Sequence, residues 1–194
     1  MGLLRSGKLG MLLSNEQHLQ LGQASMTEPT LHSDCTQCAA LCCMAFAFDK
    51  SDDFAFDKAA ETACAHLDGS GQCRVHADLE EQGFRGCAVY ECHGAGQRVT
   101  QELFGGRSWQ DEPSLIGPMS RAFATVRRLH RLLKLLDAAV ILSLSPADEA
   151  RRTLWAERVN ELVTDLPSDP VLEEMRKEVH SFVRSLRHYV GRRT

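Results

Sequence analysis

Eight cysteines are the residues of this chain best suited to chemistry. They read Cys35-x2-Cys38-x3-Cys42-Cys43, then Cys64, Cys73 and Cys87-x4-Cys92, and no cysteine lies outside that span. Clustered thiols have three chemical outlets: zinc or an iron–sulfur cluster, a disulfide framework, or redox work by one or two reactive sulfurs. An even count permits disulfides, but these need an oxidising compartment. Arg5 and Lys8 precede only a short apolar stretch, Met11 to Leu13, so no export signal is expected. Metal is the favoured reading, with Cys35, Cys38, Cys42, Cys43, Cys64, Cys73, Cys87 and Cys92 as the candidate ligands. The density of Cys-x2-Cys-x3-Cys and the surplus of sulfur over nitrogen tilt the choice to an iron–sulfur cluster, with Zn2+ close behind.

The sulfurs need elements to aim them. Asp34 and Gln37 form Asp-x-x-Gln, a capping-box-like start for a short helix in which Cys35, Cys38 and Cys42 share one face. Cys35 would sit in the first turn, where the helix dipole lowers a thiol pKa. Cys43 falls about 100° round from Cys42, so the two are expected to diverge, with Cys43 serving a second site or buried as a small apolar residue. Cys64 and Cys73 flank Asp68-Gly69-Ser70-Gly71, a turn able to bring them together. Gly94 and Gly96 allow close backbone approach beside Cys92. A single centre would use Cys35, Cys38 and Cys42, closed by Cys87 or Cys92. A second would draw mostly on Cys43, Cys64 and Cys73. His66, His76 and His93 are further donors, His93 the best placed, although a lone histidine is more often a hydrogen-bonded or surface residue. Asp49, Asp52, Asp53 and Asp57 read as a solvated loop.

Around this module the chain divides unevenly. Of its 194 residues 43% are hydrophobic and 25% charged, which excludes a wholly disordered or collagen-like chain. Residues 1–30 read as a flexible tail, 31–112 as the cysteine-rich module and 113–194 as a helical bundle. The module has few large apolar side chains and would need a staple. Beyond it, Phe123, Val126, Leu129, Leu133, Leu136 and Val140 recur at helical spacing. Ser145-Pro146-Ala147-Asp148 reads as a helix start, followed by Leu154, Val159, Leu162 and Leu166. Asp169-Pro170 repeats the signal ahead of a seam of Leu172, Met175, Val179, Phe182, Leu186 and Tyr189. The expected fold is mainly α, a small irregular metal-binding module followed by three antiparallel helices joined by short loops. Residues 1–117 carry a net charge of -8 and residues 118–194 one of +4. Arg127, Arg131 and Lys134, and the terminal Arg184, Arg187, Arg192 and Arg193, read as solvated cations, and the overall -4 argues against nucleic acid. No apolar run is long enough for a membrane span. Gly94-Ala95-Gly96 is no dinucleotide fingerprint, and P-loop, Gly-x-Ser-x-Gly and His-Glu-x-x-His motifs are absent.

The cysteine string, with Gly71-x-Cys73-x2-His76 and Cys87-x4-Cys92, resembles the bacterial cysteine-cluster (CxxCxxxCC) domain described as zinc- or iron-chelating. The match spans roughly residues 34–97 and includes all eight cysteines. A longer likeness runs through Gly83-Phe84-x2-Cys87-x2-Tyr90-x-Cys92-x-Gly94-Ala95-Gly96-Gln97, Phe104-Gly105-Gly106-Arg107-x-Trp109 and Arg128-Leu129-His130. It is similar to the N-terminal part of some bacterial pentapeptide repeat proteins, but no five-residue repeat follows here. Larger relatives of the cluster class include a flagellin lysine methylase, so the resemblance implies metal binding and leaves room for a reaction. The expectation is a bacterial, cytoplasmic metal-binding protein with a redox, sensing or protein-modifying role and a protein partner docked through the helices. An iron–sulfur enzyme would show a deep pocket near Tyr90, His93 or Arg98. A structural zinc scaffold would show none, but a closed four-thiolate site and an exposed apolar patch on the helices.

Overall fold

Three stretches of helically spaced apolar residues become the long helices of the structure, a computed structural model that describes residues 29–191. Expectations for residues 1–28 and for Arg192 and Arg193 lie outside the described residues. Among the described residues six α-helices run in chain order: α1 Leu41–Ala45, α2 Arg85–Ala88, α3 Ala95–Arg98, α4 Ile116–Ala138, α5 Pro146–Asp165 and α6 Asp169–Ser185. The fold is mainly helical, and only isolated β-bridges occur among the described residues.

The apolar spacing sets the packing. α4 buries Met119, Phe123, Val126, Leu129, Leu133 and Leu136, and α6 buries Leu172, Met175, Val179 and Phe182. At α5, the Ser145 hydroxyl accepts from the Asp148 N–H at 3.2 Å and Pro146 opens the helix. At α6 the capping position is Ser168, not Asp169, and its hydroxyl makes no capping bond. Tyr189 Oη accepts from Ser145 N at 3.0 Å and donates to Asp148 Oδ2 at 2.7 Å, tying the chain beyond α6 to the start of α5. Arg128 of α4 pairs with Asp169 at the start of α6 at 2.6 Å. α5 and α6 both pack on α4.

Three apolar positions depart from the predicted stripes. Val140 is 54% exposed, because α4 ends at Ala138 and a 3-10 turn carries the chain off the face. Leu154 is 53% exposed, and Leu166 sits beyond α5 in a left-handed conformation. α5 fully buries only Val159, Asn160 and Val163.

α4 is shared by both parts of the molecule. Leu41 and Met44 of α1, Ala95 of α3, Val99 and Trp109 join the α4 side chains in one continuous core. The module also has apolar packing that composition did not suggest: Phe48 stacks on Phe54 at 4.3 Å, and Phe84 meets Phe56 at 5.0 Å.

Candidate metal centre

All eight cysteines are free thiols and line one cavity of about 1440 Å³. The path that brings them there is not the single helix expected from Asp34 to Cys42. Asp34 does cap, its carboxylate accepting from Thr36 N at 2.9 Å. The helix it starts is one 3-10 turn, Cys35–Gln37, after which Cys38 is extended and Ala40 is left-handed at φ 51°. Cys42 and Cys43 then sit on α1, so Cys35, Cys38 and Cys42 come together by a broken chain path. A three-residue turn has little dipole, and the Cys35 thiol is raised rather than lowered, by burial first and then by Cys92 and Cys43.

The loop is held from α3 and the π-helical turn after it, Val99–Leu103. Gln97 accepts from Asp34 N at 2.9 Å and donates to His32 O at 2.8 Å. Thr100 accepts from Ala39 N at 3.0 Å, Gln101 donates to Gln37 O at 2.8 Å, and Trp109 Nε1 donates to Ala39 O at 2.6 Å. Gly96 is required by space: a Cβ there would stand 2.6 Å from Cys38 Sγ and 3.9 Å from Cys92 Sγ. Gly94 has φ 78°, and a Cβ there would meet Thr30 O at 2.0 Å.

The thiols differ in which of their neighbours they feel. Burial pushes Cys38 up to about 11, with Cys92 and Cys35 adding to it, while Leu41 N–H donates to the sulfur and opposes the rise. Cys42 is raised by sharing its proton with Cys43 and by burial, with Cys38 and Cys35 contributing. Burial likewise raises Cys73, beside Cys43 and Cys64, and takes Cys87 to about 11, beside Cys43, Cys64 and Cys73. Cys35, Cys38, Cys42 and Cys92 thus neighbour one another, as do Cys64, Cys73 and Cys87, and Cys43 stands between the two sets, acting on Cys35 and Cys42 as well as on Cys73 and Cys87.

The expected divergence of Cys42 and Cys43 is not seen, since their sulfurs are 3.8 Å apart. Two thiolates on one tetrahedral zinc, with Zn–S near 2.3 Å, are separated by about 3.8 Å, so the pair can share an ion or stand back to back between two. Cys64 and Cys73 are brought together by the turn between them. Asp68 accepts from Ser70 N at 2.8 Å and from Gln72 N at 3.0 Å, and Leu67 and Cys73 form a bridge.

Lys58 is a site residue the sequence did not announce. It is 6% exposed, and its Nζ donates to the carbonyls of Met44 and Ala59, each at 3.1 Å, and of Phe46. Burial lowers its pKa, while Cys64, Cys43, Cys42 and Cys87 act to raise it. A cation held among sulfurs offsets the negative charge of thiolates. The histidines are placed differently from expectation: His66 and His76 line the cavity and His93 does not. His93 has φ 53° and gives its carbonyl to His130 Nδ1 at 2.6 Å. Arg98 is turned to Glu102 at 3.0 Å and to His130 Nε2 at 3.3 Å, so of the residues expected at a pocket only Tyr90 lines it. In the acidic loop, Asp57 accepts from Lys50 N at 2.6 Å and Asp53 pairs with Arg85.

The donor set fits a soft or borderline cation: eight sulfurs, one cavity, a glycine cradle at Cys38 and a buried cation alongside. Among the described residues, however, no three Cys, His, Asp or Glu side chains are already drawn into a set that would hold an ion.

Compared with known proteins, the chain is 38% identical over 156 residues to Uncharacterized protein YybG of Bacillus subtilis (strain 168). The aligned part is 79% of this chain and 56% of that protein, so the chain spans little more than half of its relative's length. No family model and no solved structure matches. No helix among the described residues is long and apolar enough to cross a membrane.

Proposed function

We propose that this chain is a metal–thiolate protein of the cysteine-cluster class, with an iron–sulfur cluster favoured slightly over Zn2+. The observation that carries the reading is the convergence of all eight free cysteines on one cavity, from a span of sequence with little regular structure. Cys35, Cys38, Cys42 and Cys92 would hold one centre, and Cys43, Cys64, Cys73 and Cys87 a second. The metal would supply thiolate-bound redox or Lewis-acid chemistry. The chain's own residues aim the sulfurs: Gly96 leaves room for Cys38, Leu41 N–H donates to it, and Lys58 balances charge.

An open cavity of this size supports a redox, sensing or protein-modifying role over a closed structural scaffold. In a bacterial cytoplasm the thiols would stay reduced for metal. Exposed Ile141 and Val140 at the end of α4 are where a protein partner would dock. Purification without oxygen, metal quantification and an absorption spectrum test the reading. An iron–sulfur centre gives a broad band near roughly 400 nm with iron and sulfide present, and zinc gives a colourless protein with stoichiometric metal. Protein free of iron, zinc and copper would overturn it.

A further inference from the structure

One wall of the thiol cavity is not built from cysteine. Phe46, Tyr90, Phe123 and, on α4, Arg127 and Arg131 form it. The Arg127 guanidinium carbon lies 4.7 Å over the Phe46 ring, which meets Tyr90 edge-on at 5.4 Å and Phe123 at 5.6 Å. The Tyr90 hydroxyl and Arg127 Nε are both buried; the Arg127 guanidinium acts as a donor on the Tyr90 oxygen, and neither the hydroxyl proton nor Nε–H has an acceptor.

The neighbouring arginines are served differently. Arg128 pairs with Asp169, and Arg98 with Glu102. Arg127 has no ion pair among the described residues, and the charged or titratable groups felt by the Tyr90 hydroxyl are Arg127, Cys42 and Cys92, with no carboxylate among them. The wall therefore offers a cation and two donors beside aromatic rings, and what it lacks is an anionic acceptor.

We propose that Arg127 and Tyr90 bind the carboxylate of a small ligand whose apolar body lies against Phe46. The planar guanidinium fork matches a carboxylate's two oxygens, and the aromatic wall favours an organic acid over inorganic phosphate. The proposal deepens the metal–thiolate reading, on which it rests only for the role of the sulfurs that the ligand would face.

The test is calorimetric titration of benzoate into the full-length, metal-loaded protein, with metal content and circular dichroism recorded on each sample. Saturable binding is expected, weakened about tenfold or more by Arg127→Met. Tyr90→Phe should weaken it several-fold, and Arg121→Met, an exposed change elsewhere on α4, should leave it intact. Equimolar phosphate should not displace benzoate. Should Arg127→Met fail to fold, Tyr90→Phe decides. No saturable binding to well-folded, metal-loaded protein overturns the proposal, as does binding that both variants leave unchanged. Displacement by equimolar phosphate overturns the carboxylate assignment. Loss of metal in Arg127→Met without benzoate binding to the parent assigns Arg127 to the sulfurs instead. Arginine-dependent benzoate binding in a protein that takes no metal supports the carboxylate site and defeats only the metal reading.

Discussion

The cysteine region and the helices that follow it lean on the same element, α4, yet they are held by different forces. In α4 and α6, leucines, valines and phenylalanines recur every three or four residues and are buried almost completely. Between Cys35 and Cys92 the helices are four or five residues long, and order comes from side chains reaching backbone: Gln97, Thr100, Gln101, Trp109 and Lys58. None of the eight cysteines is fully buried. Periodic apolar burial orders the bundle, whereas the irregular half relies on side chains bonded to backbone around its sulfurs.

If the sulfurs hold metal as proposed, its removal is the sharpest way to widen that contrast. Structural zinc is worth about 10–16 kcal/mol in small domains, far more than any single contact here. With metal chelated, hydrogen exchange should accelerate across residues 35–92 while amides of Met119 to Leu136 stay protected, and far-UV helical signal should largely remain. Equal loss in both regions would show that they unfold as one. Phe123→Ala comes next in size. Phe123 is 1% exposed, packs on Phe46 and belongs to the core common to both regions, so about 3–5 kcal/mol of stability should be lost in chemical denaturation. A smaller loss confined to the cysteine region would mean that the core is less shared than its contacts indicate.

The same division governs what could be read from the sequence. The three long helices were legible because their signals are local: apolar spacing, Ser145-Pro146, and Pro170 near the start of α6. Val140 was misassigned because α4 ends without a glycine or proline to mark it. In the cysteine region the eight candidate residues were legible by type, but their arrangement was not. Ala40 turns left-handed with no sequence cue, so the helix drawn through Cys35 and Cys42 breaks. The partner of Asp34 N is Gln97, 63 positions away, rather than Gln37 in a local capping box. Arg127 reads as a solvated cation and Lys58 draws no reading from the sequence, since only the fold reveals an aromatic ring under the one and three carbonyls around the other.

Acid tests a strut that joins the two regions. His130 is fully buried on α4, bonded to the His93 carbonyl and facing Arg98, and burial, opposed by the His93 carbonyl bond and aided by Arg98, lowers its pKa to about 4. The folded protein binds this proton less readily than the unfolded chain. Stability is therefore complete above the usual histidine value of about 6.5 and falls as pH drops towards 4, by about 3 kcal/mol in all. Denaturation midpoints between pH 7 and 4 should show that slope, and His130→Gln should flatten it. A slope unchanged by the substitution would place the acid sensitivity elsewhere.

The smallest effect lies at the far end of the bundle, where the contrast predicts independence from the sulfurs. Ser145 Oγ accepts from Asp148 N and donates to Asp148 Oδ2 at 2.9 Å, while Tyr189 Oη joins the same carboxylate and takes the Ser145 N–H. Ser145→Ala removes the helix cap, and Tyr189→Phe leaves the Ser145 N–H without its acceptor. Each should cost about 1 kcal/mol. Because both act on one network, the double variant should lose less than the sum, a coupling that a double-mutant cycle in urea measures directly. Metal content should be unaltered in all three proteins, since nothing in this network touches the thiol cavity. If either variant lost metal, stability at the end of α5 would be setting the geometry of the sulfurs through α4, and the two regions would have to be treated as a single cooperative unit.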